Sequence, residues 1–291
     1  MRWLFRRLFL TASLTVLWST AGEPQARDSE CDKLQAQLDS AQAQWEKTDA
    51  RFAQVDWTIT HHLVAQNRLA GRNQFDGKRV IHFDLEHEEA ATFGLHDAFT
   101  LSALIRPREL TGMILTRGPD TAEGEGYRLS LKDGKVQFNL VKSWRGDALR
   151  VETERPVDLG QWQNVTVTCD GSASARGIRI YLDGQPQKLK VNADTLHSSF
   201  ESNETIRIGG GGGPGNNFRG QIRAVRIYRA ALTADEAGVV STEMPVTQIA
   251  QISPEKRTAV QALKIRLYFL ERSAPAPMRD EWQRGCASPG Q

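Results

Sequence analysis

The sequence predicts an all-β protein: two antiparallel sheets stacked as a sandwich, with helices at both ends. Three observations predict it. From about residue 74 the apolar residues recur at every second position. Asp-Gly pairs punctuate these runs at Asp76-Gly77, Asp133-Gly134, Asp170-Gly171 and Asp183-Gly184, and such pairs accept the positive φ angles of tight hairpins. Helical signal returns only after Leu232. Strict alternation buries one face of a strand and leaves the other wet, which marks antiparallel sheets. Many short strands with regular turn signals mark a sandwich.

The elements follow in order. Residues 1–21 read as a secretory signal: Arg2, Arg6 and Arg7 form a basic start, Leu8 to Trp18 an apolar run, and Ser19-Thr20-Ala21 a small-residue cleavage site. The apolar run is shorter than the ~20 residues a spanning helix needs. The chain is therefore expected to be exported, to the periplasm, the cell surface or the medium, with membrane contact only if the leader stays on. Residues 28–57 read as one amphipathic, coiled-coil-like helix. Cys31, Leu34, Leu38, Ala41, Trp45, Thr48, Phe52 and Val55 form its seam at alternating spacings of three and four. That seam serves either a partner chain or the helix's own domain.

Residues 74–240 form the sandwich. Phe99, Leu101, Ala103 and Ile105 alternate with Thr100, Ser102, Leu104 and Arg106, and residues 129–140 (LSLKDGKVQFNL) spell strand, Asp-Gly turn, strand. Thr233 and Glu236 form a capping box for a short helix. Ser253 and Pro254 open a helix over 253–272 with Val260, Leu263, Leu267 and Leu270 as its stripe, and residues 278–291 read as a disordered tail.

Composition excludes several functions. Lys and Arg number 37 against 35 Asp and Glu. Without the first 21 residues the balance is 34 against 35, a net charge of −1, so net charge supports no nucleic-acid surface. None of Cys31, Cys169 and Cys286 begins a C-x-x-C-H motif, so covalent c-type haem is not expected. Three cysteines make no disulfide framework. Cys169 ends a strand pattern as a buried thiol, and a single Cys31–Cys286 bridge is left open. His61, His62, His82, His87, His96 and His197 lack zinc-site spacing. Residues 209–215 (GGGGGPG) lack the Gly-Lys-Ser/Thr ending of a phosphate loop and read as a permissive turn.

The run from Phe75 to Glu236 resembles the laminin-G-like, concanavalin A-like jelly-roll domain. The matching pieces are FDG (75–77), DAFTLSALIRP (97–107), GYRLSLKDGKVQF (126–138), GQWQNVTVTCDGS (160–172), GIRIYLDGQ (177–185) and FRGQIRAVRIYRAALTADE (218–236). They fall in the family's order, with Asn164 where histidine is usual. Residues 114–153 and 253–275 are also similar to large secreted planctomycete proteins, which join a cytochrome-c-like module, other domains and this sandwich. The resemblance implies that 28–57 and 254–272 correspond to helical linkers, and that the chain is either a stand-alone relative or a fragment of a larger protein.

The expected function is a non-catalytic interaction module that binds an extracellular carbohydrate or a protein partner. Trp144, flanked by Arg145 and Asp147, joins an aromatic face to hydrogen-bonding groups, the combination that holds a sugar ring. Asn216 and Asn217, beside the glycine run, complete the candidate binding set. Glycosidases of the same superfold set carboxylates at i, i+2 and i+4 on one strand. Asp84, Glu86 and Glu88 have that spacing but no aromatic cluster beside them, so glycoside hydrolysis is the alternative, and a ligand-free spacer a third. No cofactor is expected. A calcium ion would go to the acidic loop Asp120, Glu123, Glu125, although Arg223-Ala224 stands where relatives often carry an acid.

Overall fold

The computed structural model describes residues 24–53, 57–69, 73–83 and 88–285. The leader, Asp84, Glu86 and Cys286 lie outside them. Helix α1 spans Pro24–Thr48. Strands β1 (Leu63–Arg68), β2 (Gln74–Asp76) and β3 (Ile81–Phe83) come next, then β4 (Phe99–Pro107), β5 (Gly112–Arg117), β6 (Gly126–Lys132), β7 (Lys135–Ser143) and β8 (Asp147–Pro156). They are followed by β9 (Gln163–Cys169), β10 (Ile178–Leu182), β11 (Gln185–Pro186), β12 (Leu189–Asp194), β13 (Ile206–Ile208) and β14 (Arg219–Tyr228). Helices α2 (Ala234–Ser241), α3 (Val246–Ile249), α4 (Ala259–Arg272) and α5 (Ala276–Gly285) close the chain.

The strands form two antiparallel sheets. The back sheet runs β1-β14-β4-β9-β10-β11, with β2 also on β14, and the front sheet runs β12-β8-β7-β6-β5-β13-β3. Between them lies the main core, where Phe99, Leu101, Leu129, Phe138, Leu149, Val167, Ile180 and Ile227 are buried. Two of the four Asp-Gly pairs make two-residue hairpins, Asp133-Gly134 (φ 52°, 77°) and Asp183-Gly184 (φ 49°, 77°). The other two turn the chain through aspartate side chains: Asp76 Oδ1 accepts from the Lys78 and Arg79 amides, and Asp170 Oδ1 from that of Ser172.

The outer face of the back sheet is not wet, as plain alternation predicts. Thr100, Ser102, Asn164, Thr166 and Thr168 are buried there, because a helical layer covers them. Burial of these polar groups is tolerated because they satisfy one another. Asn164 Oδ1 accepts from Thr166 Oγ1 at 2.8 Å and from Ser241 Oγ of α2 at 3.0 Å. The Thr100 hydroxyl donates to the Ala230 carbonyl and accepts from the Leu232 amide.

A second core fills the helical layer. Leu34, Leu38 and Trp45 of the α1 seam pack with Trp57, Val239, Val246, Ile249, Ile265, Tyr268 and Phe269. Helix α1 therefore spends its apolar stripe on its own chain and ends at Thr48, well short of 57. Further corrections fall at the C-terminus. Pro254–Lys256 is only a 3-10 turn, and α4 begins after a capping box made by Thr258 and Gln261. Residues 278–285, expected to be tail, are helical within α5, which lies against α1.

Candidate functional site: a polar groove on the front sheet

The register of the front sheet sets its outward side chains in two rows. Glu152 pairs with Gln137, and Gln137 with Ser130. Arg150 pairs with Asn139, Asn139 with Arg128, and Arg128 with Thr116. Opposed residues lie ~5 Å apart, so the rows offer hydrogen-bonding groups side by side. Above them lie two adjoining cavities of about 430 and 290 Å³ that share Lys132, Asp133, Gln137, Asn139 and Trp144.

Trp144 sits in the β7–β8 turn and turns back over the sheet, where the Arg150 guanidinium lies 4.4 Å from its ring centre. The opposite wall is the glycine-rich segment, with Gly212 and Asn216 facing the smaller cavity. Gly211 (φ +99°) crosses the sheet so closely that a Cβ there would meet Thr116 at 3.1 Å. Only glycine combines that φ with that approach.

Glu152 anchors one end. It accepts from Gln137 Nε2 at 2.9 Å and Asn192 Nδ2 at 3.0 Å, with the Lys190 and Lys135 ammoniums at 3.5 and 3.7 Å. Burial acts to raise its pKa, but the hydrogen bonds from Gln137 and Asn192 and the Lys190 charge prevail and hold it below the ordinary carboxylate value. At the other end, Arg128 is buried under the 119–125 loop. Its guanidinium donates to the carbonyls of Thr121, Ala122 and Gly124 at 2.6–2.9 Å.

The structure distributes the candidate residues unevenly. Trp144 and Asn216 line the groove. Arg145 is exposed and lines neither cavity. Asp147 is buried, accepting from the His197 and Ser198 amides at 2.8 and 3.3 Å, so it holds the 195–198 turn. Asn217 donates to the Gly77 carbonyl at 3.1 Å and braces the glycine segment. Gln137, Asn139, Arg150, Glu152 and Asn192 were not singled out from the sequence, though the alternation already placed Gln137 and Asn139 on the outward face.

In the acidic loop, Asp120 accepts from the Gly213 amide at 2.8 Å and Glu125 pairs with Lys142 at 2.9 Å. No group of three or more His, Cys, Asp or Glu suited to a metal occurs among the described residues. Of the Asp84, Glu86, Glu88 set, Asp84 and Glu86 lie outside the described residues, and Glu88 opens a 3-10 turn.

Two stacked sheets with a polar, aromatic-flanked groove on one outer face define a lectin-type jelly roll. A family model confirms the class over residues 82–238: the chain belongs to the Concanavalin A-like lectin/glucanases superfamily. Among solved structures it is similar to the CBM40 of the Ruminococcus gnavus IT-sialidase bound to α2,3-sialyllactose, at 16% identity over 62% of this chain and 100% of that one (TM-score 0.45). It is similar to the NanB sialidase of Streptococcus pneumoniae at 12% identity over 61% of this chain (TM-score 0.47), and to the botulinum neurotoxin serotype G binding domain at 15% over 62% (TM-score 0.46). The chain spans only 28% and 50% of those last two.

Proposed function

We propose that this chain is a non-catalytic, exported binding module whose front-sheet groove holds an extracellular carbohydrate. One observation carries the reading: amide, guanidinium and carboxylate groups stand in two rows beside Trp144. A sugar offers hydroxyls along its edge and an apolar C–H face, and this array supplies a counterpart to each. Glu152 is unsuited to act as a general acid, which needs a raised pKa, because its hydrogen bonds and the Lys190 charge hold it below the ordinary carboxylate value. Export rests on the basic, apolar start of the sequence and on Cys31, which is disulfide-bonded; such bonds persist in oxidising compartments.

Glycan-array screening followed by calorimetry tests the reading. Binding to a defined glycan, lost in Trp144→Ala with the fold intact, supports it. No binding to any glycan, with capture of a protein ligand instead, replaces carbohydrate by a protein partner. Reducing-end release from β-glucans, abolished by Glu86→Gln, would replace binding by hydrolysis.

A further inference from the structure

The front-sheet groove carries more positive than negative charge. Lys132, Lys135, Lys190, Arg128 and Arg150 line its two cavities, against Glu123, Asp133 and Glu152. Two of the ammoniums, Lys190 and Lys135, already lie beside Glu152 at 3.5 and 3.7 Å. We infer that the groove selects an acidic saccharide, one whose ring carries a carboxylate, and that Arg150 receives that carboxylate; the inference rests on the carbohydrate reading and names the class of sugar.

The strand register puts two guanidinium groups in one row. Arg150 of β8 stands opposite Asn139 of β7, and Asn139 opposite Arg128 of β6, so the two cations flank one amide at about two strand spacings, ~10 Å. Trp144 covers one face of the Arg150 guanidinium, whose carbon lies 4.4 Å from the ring centre. The N–H donors of a guanidinium lie in its plane, and stacking does not use them. Among the described residues Arg150 makes no hydrogen bond and no ion pair, and its Nε is buried without an acceptor. The side chain is half-buried and lines the larger cavity, where its planar fork matches a carboxylate through two parallel N–H···O bonds. Arg128 adds to the demand for an anion. Its terminal nitrogens donate to the carbonyls of Thr121, Ala122 and Gly124, which are dipoles and leave its charge in place, and its Nε is buried without an acceptor. No carboxylate among the described residues lies within ion-pair distance of either guanidinium. Charges withdrawn from water are normally paired. A neutral sugar would occupy the groove and leave this surplus as it is, whereas a ring carboxylate would offset it. The Asn139 carboxamide makes no hydrogen bond among the described residues and stands beside the anchor, free for a ring hydroxyl.

Calorimetry on the full chain tests this with oligogalacturonate, hyaluronan and alginate oligomers, each beside its carboxyl-reduced, neutral counterpart, at physiological salt. The expected result is that one acidic oligomer binds about tenfold or more tightly than its reduced form, as charge-assisted hydrogen bonds imply. Arg150→Met should bring that ratio close to one. A loosened Trp144 ring would weaken acidic and neutral members alike and leave the ratio unchanged, so the ratio separates the two roles of Arg150. Arg150→Lys, which keeps the charge without the fork, should retain part of the preference. Binding confined to neutral or reduced saccharides, or an unchanged ratio in Arg150→Met, overturns the inference and leaves the carbohydrate reading standing. Equal affinity for dextran sulfate would make the groove a general polyanion surface and overturn the carboxylate assignment. No binding to any saccharide, acidic or neutral, removes the carbohydrate reading and this inference with it.

Discussion

The Arg150 guanidinium lies 4.4 Å from the centre of the Trp144 ring, so the aromatic face of the groove is held by a cation from the neighbouring strand. Asn139 pairs with Arg150 in register, and the three residues act as one surface. Trp144→Ala should weaken glycan binding about tenfold or more, from the loss of ~1.5 kcal/mol of stacking. Arg150→Met should weaken it too, through a looser ring. Trp144 is half-buried in a turn, so Tm should fall little. Calorimetry beside a thermal melt checks both; equal affinity in the two variants and the parent chain would remove Trp144 from the site.

Arg128 occupies the centre of the acidic loop to which a calcium ion, though none was expected, would have gone. Three carbonyls converge on its guanidinium, and burial lowers its pKa, with the Asp120 charge acting in the opposite sense. Arg128→Met strands those carbonyls and should cost about 2–4 kcal/mol. Amide exchange across 119–125 should speed up, and calcium should leave the parent Tm unchanged. A calcium-dependent rise in Tm would mean that the loop takes an ion alongside the arginine.

Glu46 of α1 and Arg257, just before α4, form a bidentate pair at 3.0 and 2.5 Å, with side chains 11% and 4% exposed. Removing one partner leaves the other charge buried. Glu46→Gln should therefore destabilise the chain by about 3 kcal/mol, while Glu46→Leu with Arg257→Met should recover much of that loss. Urea denaturation measures both. Equal losses in the single and double variants would show that the pair itself contributes the stability.

Much of this architecture was legible because alternation survives in the sequence even where its environment differs. The 129–140 hairpin could be read because the two-residue Asp133-Gly134 turn fixes the register, which also sets Arg128 opposite Asn139 and Ser130 opposite Gln137. Periodicity reports that Thr100, Ser102 and Thr166 share a face, but not that α2 covers it. Threonine and serine suit a wet face and a self-satisfied buried one equally. Trp144 was visible as an aromatic between polar residues, whereas in the same turn Arg145 lines neither cavity and Asp147 accepts from the His197 and Ser198 amides. Adjacency along a turn carries no information about side-chain direction. Arg150 and Glu152 reach the groove through strand pairing with β7, which local patterns do not encode. Helix α5 was missed because its sequence is polar and its support comes from α1, distant along the chain.

Cysteine chemistry should divide cleanly. Cys169 is a buried free thiol, and burial pushes its pKa up to about 11. Cys31 is disulfide-bonded. Thiolates, not thiols, are alkylated, so iodoacetamide at pH 8 should leave Cys31 and Cys169 unmodified in the native chain. Denaturant alone should expose Cys169, and denaturant with reductant should add Cys31. Peptide mass spectrometry checks the order. Labelling of Cys31 in the native, unreduced chain would contradict the disulfide.

Lys264 makes stability depend on pH in a defined direction. Its pKa is lowered to about 8, first by burial and then by the Arg226 charge, with Glu243 opposing; the unfolded value is ~10.4. Between the two, the unfolded chain binds a proton that the folded chain has released, so unfolding free energy rises as pH rises. Below pH 8 the ammonium is charged in both states and the full penalty applies, on the order of 2–3 kcal/mol. Lys264→Met removes the charge while keeping an unbranched chain of similar length. It should raise stability at pH 7 and flatten the increase otherwise expected from pH 8 to 10. Urea denaturation of both chains at pH 7, 8.5 and 10 separates the cases. A parent chain whose stability falls over that interval in parallel with the variant would show that Lys264 keeps an ordinary pKa, its charge already matched within the fold.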